Sequence, residues 1–198
     1  MSHGDLVPAE QTIRRAIEES MAVTAKLLEE QLPVIVRCAE LLAQAFRAGR
    51  KVVLFGNGGS AADAQHVAGE LVNRFLMERD ALPAIALTTN TSILTSVAND
   101  VAFEQVFARQ VRALVQAGDV VVGISTSGDS PNVLEGIAAA KDKGAVTLGF
   151  SGASGGELRE LVDVCLCVPS DHTPYIQEAH ITVWHAICEV VERELFAA

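Results

Sequence analysis

Aromatic residues are scarce in this sequence: one Trp, one Tyr and 7 Phe, or 5% of 198 residues. Hydrophobic residues nevertheless reach 49%, so the core must be aliphatic, which suits an α/β protein around a buried parallel sheet. Positive charge is also scarce. Lys and Arg number 15 against 25 Asp and Glu, a formal net charge of −10, and no basic stripe is visible. No nucleic-acid partner is therefore expected. No apolar run approaches the roughly 20 residues of a membrane span and no secretory h-region opens the sequence, so no membrane partner is expected and the expected location is cytoplasmic. An anionic small molecule stays open, because helix N-termini bind phosphate without Lys or Arg.

Cysteine is limited to Cys38, Cys165, Cys167 and Cys188, without zinc-ribbon spacing. Cys165 and Cys167 alternate in "VDVCLCVP", on one face of a strand. Buried, reduced thiols are expected, in keeping with the cytoplasm.

What the chain does have is a change of rhythm near residue 50. Before it, Pro8 opens a helix through "AEQTIRRAIEESMAVTAKLLEE" and a second helix runs from about Pro33 to Ala48, stopped by Gly49. After it, apolar runs predict strands at Lys51–Phe55, Ala84–Leu87, Asp119–Ile124, Val146–Phe150 and Val164–Val168. Helices are expected at about 60–76, 103–116, 131–143 and 156–162, with a long one at Thr173–Phe196. This alternation predicts a doubly wound five-stranded parallel sheet flanked by helices. The whole is read as a single domain: residues 1–49 are a helical arm for packing on a partner subunit, and 50–198 the αβα core and C-terminal helix. Ligands of such sheets bind beyond the carboxyl ends of the strands.

Two strand-to-helix loops carry chemistry. "GNGGSAADAQHVAGE", residues 56–70, contains G-x-G-x-x-A, which can be a dinucleotide fingerprint, a phosphate loop or a tight turn. A dinucleotide site needs an acid after the second strand, but "PAIALTTN" ends in Thr88, Thr89 and Asn90, and Glu78 and Asp80 precede the strand. "GISTSGDSPN" sets Ser125, Thr126, Ser127 and Ser130 before a helix beginning at Pro131, a neutral anion cradle. "SGASGG" reads as a turn. His66 and Glu70 are an i,i+4 pair on one helix face, suited to metal ligation, to a base with its partner, or to a plain surface contact. Asn99 and Asp100 end a short helix and either cap the next or bind hydroxyls. In "IQEAHITVWH", His180 and His185 are about 140° apart around a helix, and Gln177 is within about 80° of each, so spacing does not choose between them.

"GNGGSAADAQHVAGE", "LTSVAND", "GISTSGDSPN" and "IQEAHITVWH", in this order, resemble the phosphosugar isomerase (SIS) domain family over nearly the whole chain. The resemblance implies a flavodoxin-like fold and a cytoplasmic homotetramer with one Zn2+ per subunit. It implies a phosphorylated seven-carbon sugar as substrate: sedoheptulose 7-phosphate, isomerised through an enediol to D-glycero-D-manno-heptose 7-phosphate for bacterial surface glycans. By the same resemblance His66, Glu70, Gln177 and His185 are metal ligands, Glu70 the base and His185 the acid, and His180 packs. Asn57, Gly58, Gly59, Asn99 and Asp100 resemble substrate contacts, Gln177 and Glu70 among them, and Ser125, Thr126, Ser127 and Ser130 the phosphate loop. Two rivals share the fold: a non-catalytic SIS module, such as an initiator-associating factor of DNA replication, and an isomerase of another phosphosugar. The first lacks the acid at the position of Glu70 and the histidine at that of His185.

Overall fold

The computed structural model describes residues 8–197. The apolar runs become β1 (Val52–Gly56), β2 (Ala84–Ala86), β3 (Val120–Ile124), β4 (Val146–Ser151) and β5 (Val164–Cys167), in one parallel sheet of order β2-β1-β3-β4-β5. β1 and β3 are buried along their whole length, as continuous Val-rich strands covered on both faces must be. Alternate residues split the core. Val52 and Leu54 face a cluster built with α1, α2 and α7, whereas Val53 and Phe55 face α4 and α5. The chain steps outward from β1 to β2 and then returns to the other side for β3, so its order reverses between β1 and β3. The loops after those two strands flank the resulting crevice.

The helices are α1 (Ala9–Arg47), α2 (Gly59–Val72), α3 (Thr91–Asp100), α4 (Val106–Leu114), α5 (Pro131–Asp142), α6 (Gly156–Leu161) and α7 (Thr173–Phe196). The expected break at Pro33 is absent: α1 is one helix of 39 residues, about 58 Å long, with Pro33 inside it. Proline in a helix interior forfeits one hydrogen bond. Here both sides are held down, because Leu27 before it and Cys38, Leu42 and Phe46 after it sit in one cluster with α7. A second difference is α2, which stops at Val72 rather than 76, since the following residues bond elsewhere.

His180 is fully buried against Phe150, and its Nε2 donates to the Ser151 carbonyl at 3.2 Å. It is a packing residue, as expected. Burial lowers its pKa from the ordinary 6.5 to about 4, with the Ser151 bond opposing. Between those values the unfolded chain binds a proton that the folded chain refuses. His180 therefore contributes full stability above the unfolded value and loses it as pH falls toward the folded one. Calorimetry should show the thermal midpoint dropping with acid over that window, and His180→Asn should flatten the drop by about one proton. An unchanged slope in the variant would place the proton uptake elsewhere.

Candidate active site

The glycine loop and the serine loop meet at the crevice. Asn57 and Asn132 exchange side-chain hydrogen bonds of 2.8 and 2.9 Å, tying the turn after β1 to the first turn of α5. Asn132 is buried and had no sequence signal; only the fold reveals it. Gly58 has φ 56°, a left-handed conformation that favours glycine. At Gly59 a Cβ would come within 2.5 Å of the Gln177 amide nitrogen, so α7 lays Gln177 directly over the start of α2.

In the serine loop, the Ser125 hydroxyl lies 2.9 Å from that of Ser130 and 3.4 Å from that of Ser127, and it accepts the Gly128 N–H at 3.2 Å. Ser127 accepts the Asp129 N–H at 3.1 Å. Thr126 is half-buried, its carbonyl accepting the Gly152 N–H. Ser130 occupies the N-cap of α5 and Pro131 follows it, yet the Ser130 side chain turns to Ser125 instead of capping. The start of α5 therefore has no side-chain cap. "SGASGG" turns into α6, whose Glu157 N–H braces the loop by donating to Asp129 at 2.8 Å.

Two turns into α2, His66 and Glu70 face α7. His66 Nε2 lies 3.0 Å from His185 Nε2 and 3.2 Å from Glu70 Oε1, and one donor atom from each of the three falls within 4.8 Å of the others. Ligands on one tetrahedral ion with bonds of 2.0–2.1 Å sit about 3.3 Å apart, so this donor set fits a divalent cation. The structure thus resolves what spacing left open: His185 joins the cluster while His180 points into the core. Gln177 lies two turns earlier on α7, about 12 Å along the axis from His185. Its amide is on Gly59, and no described contact places it on the trio. Asn99 and Asp100 end α3 on the surface, bonded to each other at 2.8 Å, and α3 packs on α4 and the turn before it. Their described contacts reach neither the trio nor the serine loop.

Behind the trio is a support that sequence reading missed. Phe75 stacks on the His185 ring at 5.5 Å and 14°. The segment carrying Phe75 is held by Glu192 of α7, which accepts the N–H groups of Phe75, Leu76 and Met77 at 2.8, 2.7 and 3.0 Å and Arg79 Nε at 3.0 Å. Burial alone would raise the Glu192 carboxyl, but these four bonds outweigh it and hold the pKa low. Arg79 in turn donates to the Glu70, Leu71 and Asn73 carbonyls at 2.8, 2.7 and 3.2 Å, satisfying the end of α2. This is why α2 stops short. On the far side Gln65 donates to Thr88 and Thr88 to the Ala61 carbonyl, so hydroxyls stand after β2 where a dinucleotide site needs a carboxylate.

The chain matches the SIS domain over residues 17–152. It is 58% identical over 180 residues to a phosphoheptose isomerase of Roseiflexus sp. (strain RS-1), covering 91% of each chain. Among solved structures it superposes on the phosphoheptose isomerase GmhA from Neisseria gonorrhoeae with TM-score 0.88 and 40% identity, covering 92% of this chain and 98% of that one. A phosphoheptose isomerase from Francisella tularensis gives TM-score 0.89 at 34% identity, covering 94% and 100%.

Proposed function

The chain belongs to the SIS domain family, and from that premise we infer that it works as a phosphoheptose isomerase. The reaction is an aldose–ketose isomerisation of sedoheptulose 7-phosphate to D-glycero-D-manno-heptose 7-phosphate through an enediol. The observation that carries the mechanism is the facing of His66, Glu70 and His185 within 4.8 Å of one another. α2 links the two ends. Gly59 starts it beside the serine loop and His66 lies about 10 Å further along, a span suited to an open-chain sugar with its phosphate at one end and its carbonyl at the other.

In this reading Ser125, Thr126, Ser127 and Ser130, with the start of α5, hold the phosphate. Asn57, Gly58, Gly59 and Gln177 line the path of the sugar, and Asn99 and Asp100 meet its hydroxyls. Glu70 removes the proton from C1 and returns one to C2. His185 donates a proton to the C2 oxygen and collects one from the C1 hydroxyl as the enediol collapses. His66, Glu70, Gln177 and His185 would hold one Zn2+ per subunit, and a zinc ion supplies Lewis acidity toward the carbonyl.

The whole chain is read as one SIS unit that assembles as a homotetramer. Supporting this, Ile13, Ile17, Met21, Leu28 and Leu32 lie exposed along α1, a stripe too apolar to stay in water. The enzyme is placed in the cytoplasm, in a pathway to ADP- or GDP-heptose for bacterial surface glycans. Its four cysteines are free, and among the described residues no helix is long and apolar enough to cross a membrane.

The test is incubation of the purified protein with sedoheptulose 7-phosphate, following aldose formation before and after chelation. Turnover should fall to background with chelator and return with Zn2+. Absence of aldose under every metal condition would overturn the isomerase; full turnover in chelator would overturn the metal.

A further inference from the structure

We propose that Cys165 and Cys167 form a thiol–disulfide exchange site on β5, where Cys167 is modified by a small disulfide and Cys165 resolves the adduct. Contrary to the expectation of four buried thiols, only Cys38 and Cys188 are buried, while Cys165 and Cys167 are half-buried. Both open into a cavity of about 500 Å³ between α1 and β5, lined also by Lys26, Glu30, Arg159 and Asp171. The elements of this cavity, α1, α6 and β5, contribute no residue to the His66 cluster or the serine loop. Nothing in the proposed isomerisation uses these thiols.

Three observations converge. The two sulfurs are 3.8 Å apart, within reach of bond formation by a small side-chain rotation. Two residues of strand span about 6.6 Å, close to the upper limit of about 6.8 Å for disulfide-bridged Cα atoms. A bridge can therefore close, but under strain, and strained bridges are the labile ones. β5 lies at the sheet edge with β4 as its one strand neighbour, and it is four residues long, so it can pucker without breaking a second ladder.

The thiols also differ in chemistry. The contact between the two sulfurs holds the Cys167 thiol below its ordinary value against the opposing effect of burial, and the Arg159 charge adds to the lowering. The same contact, together with burial, raises Cys165. A thiol with a lowered pKa, half-exposed and beside a second thiol, is the arrangement of a reactive cysteine. Burial pushes Cys38 and Cys188 up to about 12, which leaves them inert.

The steps balance as two exchanges. The Cys167 thiolate attacks a disulfide R–S–S–R, forming the mixed disulfide and expelling one R–S⁻. Cys165, after losing its proton to solvent, attacks Cys167 Sγ and expels the second R–S⁻. The protein is oxidised by two electrons and the small disulfide is reduced to two thiols.

The experiment uses oxidised glutathione with the folded, reduced protein at neutral pH, then acid quench, alkylation and peptide mapping by mass spectrometry. The wild type should lose the mass of two hydrogens, with residues 165 and 167 cross-linked within one peptide, and dithiothreitol should reverse it. Cys165→Ser should keep one glutathione on residue 167, and Cys167→Ser should take none. Isomerase turnover of the reduced variants reports that they are folded. An unmodified wild type, or glutathione on Cys38 or Cys188, overturns the site. A wild type that ends as a stable mixed disulfide on Cys167 overturns the resolving role of Cys165. The wild-type map decides the matter even if a variant fails to fold.

Discussion

Glu70→Gln should lower kcat by about 10²–10⁴-fold while the protein stays folded. The amide keeps the length and shape of the side chain but cannot take a proton from carbon. The enediol is then not formed, so exchange of the C1 and C2 hydrogens with deuterated water, followed by NMR, should stop together with turnover. Glu70 is also a proposed ligand, 3.2 Å from His66 Nε2, so zinc content must be measured in the same preparation. A variant that holds its zinc and loses exchange identifies the base. A variant with exchange and turnover near the wild-type rate removes Glu70 from that role.

Glu192→Leu should cost about 3–5 kcal/mol, a fall of about 6–20 °C in thermal midpoint. Arg79 and Glu192 side chains are 1% and 2% exposed, which puts them among buried pairs rather than surface ones. Removing the carboxylate leaves a guanidinium without its counter-charge and three amides of residues 75–77 without an acceptor. A compensating Arg79→Met should recover only part of the loss, since the α2 carbonyls and the three amides stay unsatisfied. Because Phe75 stacks on His185, turnover should fall further than the unfolded fraction explains when assayed well below the midpoint. A midpoint within about 2 °C of wild type would show that water replaces the carboxylate without cost.

The sheet was legible because strand periodicity is local. Each strand coincides with a short apolar run, and the strands fall within a residue of the expected ends. The i,i+4 spacing of His66 and Glu70 was legible for the same reason. Pro33 misled because its local penalty is set against contacts of Leu27 and Cys38 with α7, which no window of sequence contains. His185 could not be chosen over His180 by angle, since the direction each faces depends on where α7 lies against the sheet. The Arg79–Glu192 pair was invisible for a stronger reason. Its partners are 113 residues apart, and each alone reads as a solvated charge on a polar stretch. The asparagine clasp between residues 57 and 132 is hidden in the same way.

That long separation sets an order of assembly. α2 is made early in the chain, but the carboxylate that holds Arg79 and the segment carrying Phe75 arrives only with residue 192. Any nascent or shortened chain lacking that residue leaves Arg79 without its counter-charge and the amides of residues 75–77 without an acceptor. The loop closed by this contact is among the longest in the molecule, so its entropy cost is met after the local strands and helices are in place. Competence for chemistry should accordingly be acquired in one late step rather than grow with the length synthesised.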